Sequence, residues 1–78
     1  MAVITKFEKE QRQPTLHPTY VICGWAIASS AEGGPLLQLT TYGSASRENP
    51  GKVSQTVQLT KESAGMLFDI LKREFRFN

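Results

Sequence analysis

The sequence predicts an α+β fold: a curved antiparallel β-sheet of about four strands followed by one C-terminal α-helix, in a dimeric protein. Three observations carry this expectation. Residues 19–59 hold three segments rich in β-branched and aromatic side chains, separated by glycine, proline and asparagine punctuation. After Leu59 the apolar spacing changes from two to three and four, which is the change from strand to helix. The chain has 78 residues, and a single domain of that size hides only about 60% of the surface its unfolded chain would expose. Small cores are reinforced by disulfides, metals or partners. Cys23 is the sole cysteine and His17 the sole histidine, with no ligand cluster around either, so no internal disulfide, metal or cofactor is expected. A second copy of the chain is the reinforcement left, and a homodimer is the expectation.

The elements read as follows within one domain. Residues 1–17 carry Val3, Ile4 and Phe7 as a short strand or an arm, then a polar loop ending at Pro14. His17 before Pro18 reads as a surface loop residue. Residues 19–29 form a strand through Tyr20, Ile22, Trp25 and Ile27, with Gly24 as a bulge or bend and Cys23 as a small buried hydrophobe. Residues 31–35 supply turn chemistry. Residues 36–42 form the next strand, with Leu37, Leu39 and Thr41 on one face and Gln38, Thr40 and Tyr42 on the other. A loop over 43–51 leads to the strand 52–59, where Val53, Gln55, Val57 and Leu59 alternate with Lys52, Ser54, Thr56 and Gln58. The sheet thus spans 19–59 and the helix 61–76. Thr60 suits the N-cap, Glu62 and Ser63 the first turn, and Lys72, Arg73 and Arg76 the C-terminal end. Ala64, Leu67, Phe68, Leu71 and Phe75 make the apolar stripe, and Met66 and Ile70 widen it beyond what one small sheet needs. Met66, Leu67, Ile70 and Phe75 are therefore assigned to the dimer interface.

Composition narrows the function classes. Nine basic against seven acidic residues give a net charge of +2, too mild to imply DNA by itself. No stretch approaches transmembrane length and the first residues lack the apolar run of a signal peptide. With a free thiol, this points to a cytoplasmic or nucleoid-associated setting, the host cytoplasm if the chain is phage-encoded. No Ser-His-Asp set, Cys-His pairing or phosphate loop is present, so an enzyme is not expected. The faces bearing Gln38, Thr40, Tyr42, Ser54, Thr56 and Gln58 hold neutral donors and acceptors, poorly suited to acid/base work. They suit phosphates, sugars and base edges beside a stacking ring, while the pattern alone is first that of an ordinary solvated outer face. Arg47 and Lys52 flank the loop as a phosphate clamp or as solvated charges. Trp25 reads first as core and second as a stacking residue.

The runs Pro35-Leu36-Leu37-Gln38-Leu39-Thr40-Thr41-Tyr42, Glu48-Asn49-Pro50-Gly51-Lys52 and Gln58-Leu59-Thr60-Lys61-Glu62-Ser63, with the helix through Leu71, resemble the DNA-binding domain of the transcriptional coactivator positive cofactor four family. The likeness covers about half of the chain, from Pro35 to Phe75. It implies a homodimer that binds single-stranded or melted DNA with little sequence preference, across a curved antiparallel sheet backed by a C-terminal helix. Lys52 matches the family's basic residue after Pro-Gly, Tyr42 the aromatic near the end of the preceding strand, and Trp25, loosely, a stacking aromatic. The chain departs from the pattern at Thr40, often arginine, at Gly43, often aromatic, in the length of 52–59, and in having one basic residue after Pro-Gly.

The expectation is a homodimeric, non-sequence-specific single-stranded DNA-binding protein of transcription, replication or recombination, with RNA left open and no small-molecule substrate or membrane partner. Lys52 and Arg47, helped by Lys6, Lys9 and Arg12, follow the phosphates; Tyr42 and Trp25 stack; Gln38, Thr40, Ser54, Thr56 and Gln58 hydrogen-bond. The alternative is a protein-interaction adaptor or accessory subunit that docks through its apolar helix face.

Overall fold

A computed structural model describes residues 1–30, 34–43 and 53–77. Strands β1 (Ala2–Ile4), β2 (Cys23–Ser30), β3 (Gly34–Tyr42) and β4 (Val53–Leu59) precede one helix, α1 (Lys61–Phe75). The strands form a single sheet in the order β1-β4-β3-β2. Its β2–β3 and β3–β4 pairs are antiparallel, but β1 lies parallel to β4, so the sheet is mixed and not purely antiparallel. The reason is topological. Residues 5–22 leave β1 without a hairpin turn, and β1 takes the edge that β4 leaves open.

Pairing register divides the sheet into two faces. Ile4, Leu59, Leu37 and Ile27 stand in one row across it, and Ala2, Val57, Leu39 and Trp25 in the next. Side chains alternate along a strand, so the opposite face holds Val3, Gln58, Gln38 and Ala26, then Thr56, Thr40 and Gly24. The helix packs on β3 and β4. Leu59, on the apolar face and two residues before the helix, is 1% exposed. Among the described residues it is the only fully buried apolar side chain.

The turn into the helix is closed by a reciprocal cap. The Ser63 N–H donates to the Thr60 hydroxyl at 3.1 Å, and the Thr60 N–H donates to the Ser63 hydroxyl at 2.9 Å. Ser63 is wholly buried with these bonds made, which satisfies donors that the first turn would otherwise leave open. The helix ends at Phe75, one residue before the expected bound, because Arg76 takes a left-handed conformation with φ 59°. At the other end of the sheet, Gly34 has φ 77°, which only glycine adopts without strain where β3 starts. No helix among the described residues is long and apolar enough to cross a membrane.

Two strand expectations change. Residues 20–22 have strand composition but lie outside β2, because β3 ends at Tyr42 and offers them only one bond, from the Tyr42 N–H to the Ile22 carbonyl. Gly24 is no bulge: it sits in regular register with Thr40, and the irregularity falls between Thr41 and Tyr42 on β3, whose partners on β4 are Gln55 and Val53.

Candidate nucleic-acid interface

The face turned away from the helix collects most of the neutral polar residues singled out above. Gln38 and Gln58 are direct cross-strand partners, as are Thr40 and Thr56. The Gln58 amide donates to the Gln38 carbonyl oxygen at 2.9 Å, and the Gln38 amide reaches the Thr40 hydroxyl at 3.5 Å. These contacts hold two long side chains in a fixed row and leave further donors and acceptors free, since each primary amide carries two N–H bonds and two lone pairs. All five residues, Gln38, Thr40, Tyr42, Thr56 and Gln58, are partly exposed. A shallow hollow lined by Met1, Ala2, Val3, Thr56 and Gln58 continues the surface toward β1.

Tyr42 closes the row, and its position depends on Gly24. A Cβ added at Gly24 would stand 3.3 Å from Tyr42 Cε2 and 3.5 Å from its hydroxyl. The ring therefore passes over the β2 backbone where a side chain is missing. The glycine that the sequence marks as a bend is in the structure the seat of the aromatic ring.

The other proposed contacts are not brought to this face. Trp25 pairs with Leu39, so it stands on the helix side, opposite Tyr42; it is 72% exposed and is not core. The helix covers β3 and β4 and leaves β2 bare, which is the physical reason. Cys23, expected to be buried, is exposed on the same side for the same reason, its thiol 3.5 Å from the Gly24 carbonyl. Ser54 has no β3 partner at the irregularity. Lys6 is paired with Glu8 at 3.2 Å, Arg12 is exposed, and Lys9 lines a groove against the helix and so belongs to the apolar side. Arg47 and Lys52 lie outside the described residues, in the connection between β3 and β4.

The helix residues assigned to a dimer interface separate as well. Leu67 lies one turn from buried Ser63 and shares its sheet-facing side. Met66 and Ile70 line the groove formed with Phe7, Glu8 and Lys9. Phe75 is 66% exposed and meets Phe77 edge-on, ring centres 5.7 Å apart. Phe68 and Ile27, exposed at 63% and 58%, are further apolar residues on the helix side of the sheet. A period of two or 3.6 places them on apolar stripes, but only the register shows that the stripes outrun each other. Comparison of the chain with protein-family models, with curated proteins and with solved structures finds no match, so the likeness to the coactivator family rests on the motifs of this chain alone.

Proposed function

We propose that this protein is a homodimer that binds single-stranded nucleic acid, DNA first, across the polar face of β3 and β4. The observation that carries the reading is the uncharged row of Gln58, Gln38, Thr56, Thr40 and Tyr42 on a face that no other element covers among the described residues. Neutral amides and hydroxyls contact sugars, phosphates and base edges without fixing a sequence, and a tyrosine ring gives one base a stacking surface. Arg47 and Lys52 belong to the connection that follows Tyr42 and Gly43 in sequence. Gln38, Thr40, Tyr42, Thr56 and Gln58 form the site in this reading, with Lys52 and Arg47 as phosphate partners. Trp25, Ile27 and the exposed helix rings Phe68 and Phe75 belong to the association of subunits, and Lys9 lies off the polar face. The activity is binding, with no chemical step, and the process served is transcription, replication or recombination.

Titration with a labelled single strand of ~20 nucleotides, set against the same sequence as duplex, tests the reading, since an OB-scale protein site spans about 4–16 nucleotides. Tight binding to the single strand and weak binding to the duplex is the expected result. Binding to neither would remove it and leave the exposed apolar side as the working surface of a protein adaptor.

A further inference from the structure

We infer that the outer edge of β2 is an association site whose occupant is the β2 strand of a second copy, paired antiparallel about a two-fold axis near Ala26. The inference gives the homodimer proposed above its interface, and it is independent of whether that dimer binds nucleic acid.

An edge strand shows a row of unpaired N–H and C=O groups, and natural monomers protect such edges with charge, proline, shortness or a covering element. The two edges of this sheet differ in that respect. β1 is three residues long and runs directly into Lys6, Glu8, Lys9 and Glu10. β2 is eight residues long, and from residue 13 to residue 30 the sequence has no Lys, Arg, Asp or Glu. Its main packing partner is β3, and among the described residues no backbone hydrogen bond outside the sheet's own pairing reaches its outer side.

The pattern along β2 is self-complementary. The Tyr42 N–H bonds the Ile22 carbonyl, which turns the backbone groups of even-numbered β2 residues toward β3. Those of Cys23, Trp25, Ile27 and Ser29 point outward. An axis at Ala26 sets Trp25 against Ile27 of the second copy, an aromatic and β-branched pair of the kind that stabilises sheets. With no charges on the strand, no like-charge pair arises anywhere in that ladder.

A two-fold axis perpendicular to the sheet also keeps both helices on one side. On α1, Met66, Asp69 and Arg73 flank the groove with residues 7–9, next to the β1 edge. Phe68 and Phe75 lie on the flank away from that groove and are exposed. In the paired sheet Trp25 and Ile27, bare in one chain, meet their counterparts from the second copy. Trp25 and Ile27 are 72% and 58% exposed in one chain, and the pairing gives both a partner.

Two variants test this in the full chain. Ile27→Pro removes an outward N–H and leaves the β3 ladder its donors, so circular dichroism keeps its strand signal. The dimer dissociation constant, measured by sedimentation equilibrium, rises at least roughly tenfold. Ala26→Cys in a Cys23→Ser background places two thiols at a directly opposed pair with Cα atoms about 4.5 Å apart, within disulfide reach. Copper-phenanthroline oxidation then gives a covalent dimer, while Met66→Cys in the same background does not. A wild-type dimer that survives Ile27→Pro and leaves Ala26→Cys uncrosslinked overturns the β2 interface and keeps the homodimer. A wild-type monomer at all concentrations overturns both.

Discussion

Gly24 and Tyr42 depend on each other in a way that neither residue's type reveals. The ring occupies the space that a side chain at position 24 would need. Gly24→Val adds a branched side chain that suits a strand, yet it must push the ring away. The expected outcome is a folded protein with weakened oligonucleotide binding, approaching the loss of about 1–3 kcal/mol that removing a stacking ring costs. Titration of that variant checks it; unchanged affinity would mean that the ring's place over β2 is immaterial. Arg76 is a second residue under local strain, the only non-glycine among the described residues with positive φ. Arg76→Gly is expected to raise stability by about 1 kcal/mol, read as a higher denaturation midpoint. Neither effect is legible from residue types. Position 24 required the register with Thr40, and position 76 required the path by which the chain leaves the helix.

At the scale of elements, the helix and its cap were the most legible parts. Thr60 as N-cap and the stripe through Leu67 and Leu71 follow from side-chain chemistry within a few residues, which a sequence displays directly. The faces of β3 and β4 were legible too, since alternation needs no partner strand to be read. The parallel placement of β1 was not. It depends on which edge is free after the other strands pair, a property of the assembled sheet. Thr60→Ala removes the hydroxyl that accepts from the Ser63 N–H and is expected to lower stability by about 1 kcal/mol, with Thr60→Ser restoring most of it. Leu59→Ala strikes harder. It empties the one fully buried apolar position among the described residues and should cost about 2–5 kcal/mol, enough to unfold a domain this small at low concentration. Thermal denaturation of both variants separates a local cap from the core.

At the scale of the molecule, the two sides of one sheet expose different chemistry. The side under the helix leaves Trp25, Ile27, Phe68 and Phe75 uncovered, and burial of such side chains is worth about 1.5–3 kcal/mol each. In the proposed dimer association is part of stability, so the melting temperature is expected to rise with protein concentration, as it does for proteins whose folded state includes a partner. Small size and the wide helix stripe already argued for a partner; that β2 contributes to the exposed side depends on the extent of helix coverage, which no period in the sequence encodes. The opposite side keeps Gln38, Thr40, Tyr42, Thr56 and Gln58 together whether one chain or two are present. Binding of a single strand to Tyr42 and Tyr42→Ala protein, titrated at two salt concentrations, tests this division most directly. The wild-type log affinity is expected to fall with log salt by about 0.7 per phosphate neutralised, and the Tyr42→Ala line to lie lower by about 1–3 kcal/mol with the same slope. A flat salt response, or a variant that binds as tightly as wild type, would contradict it.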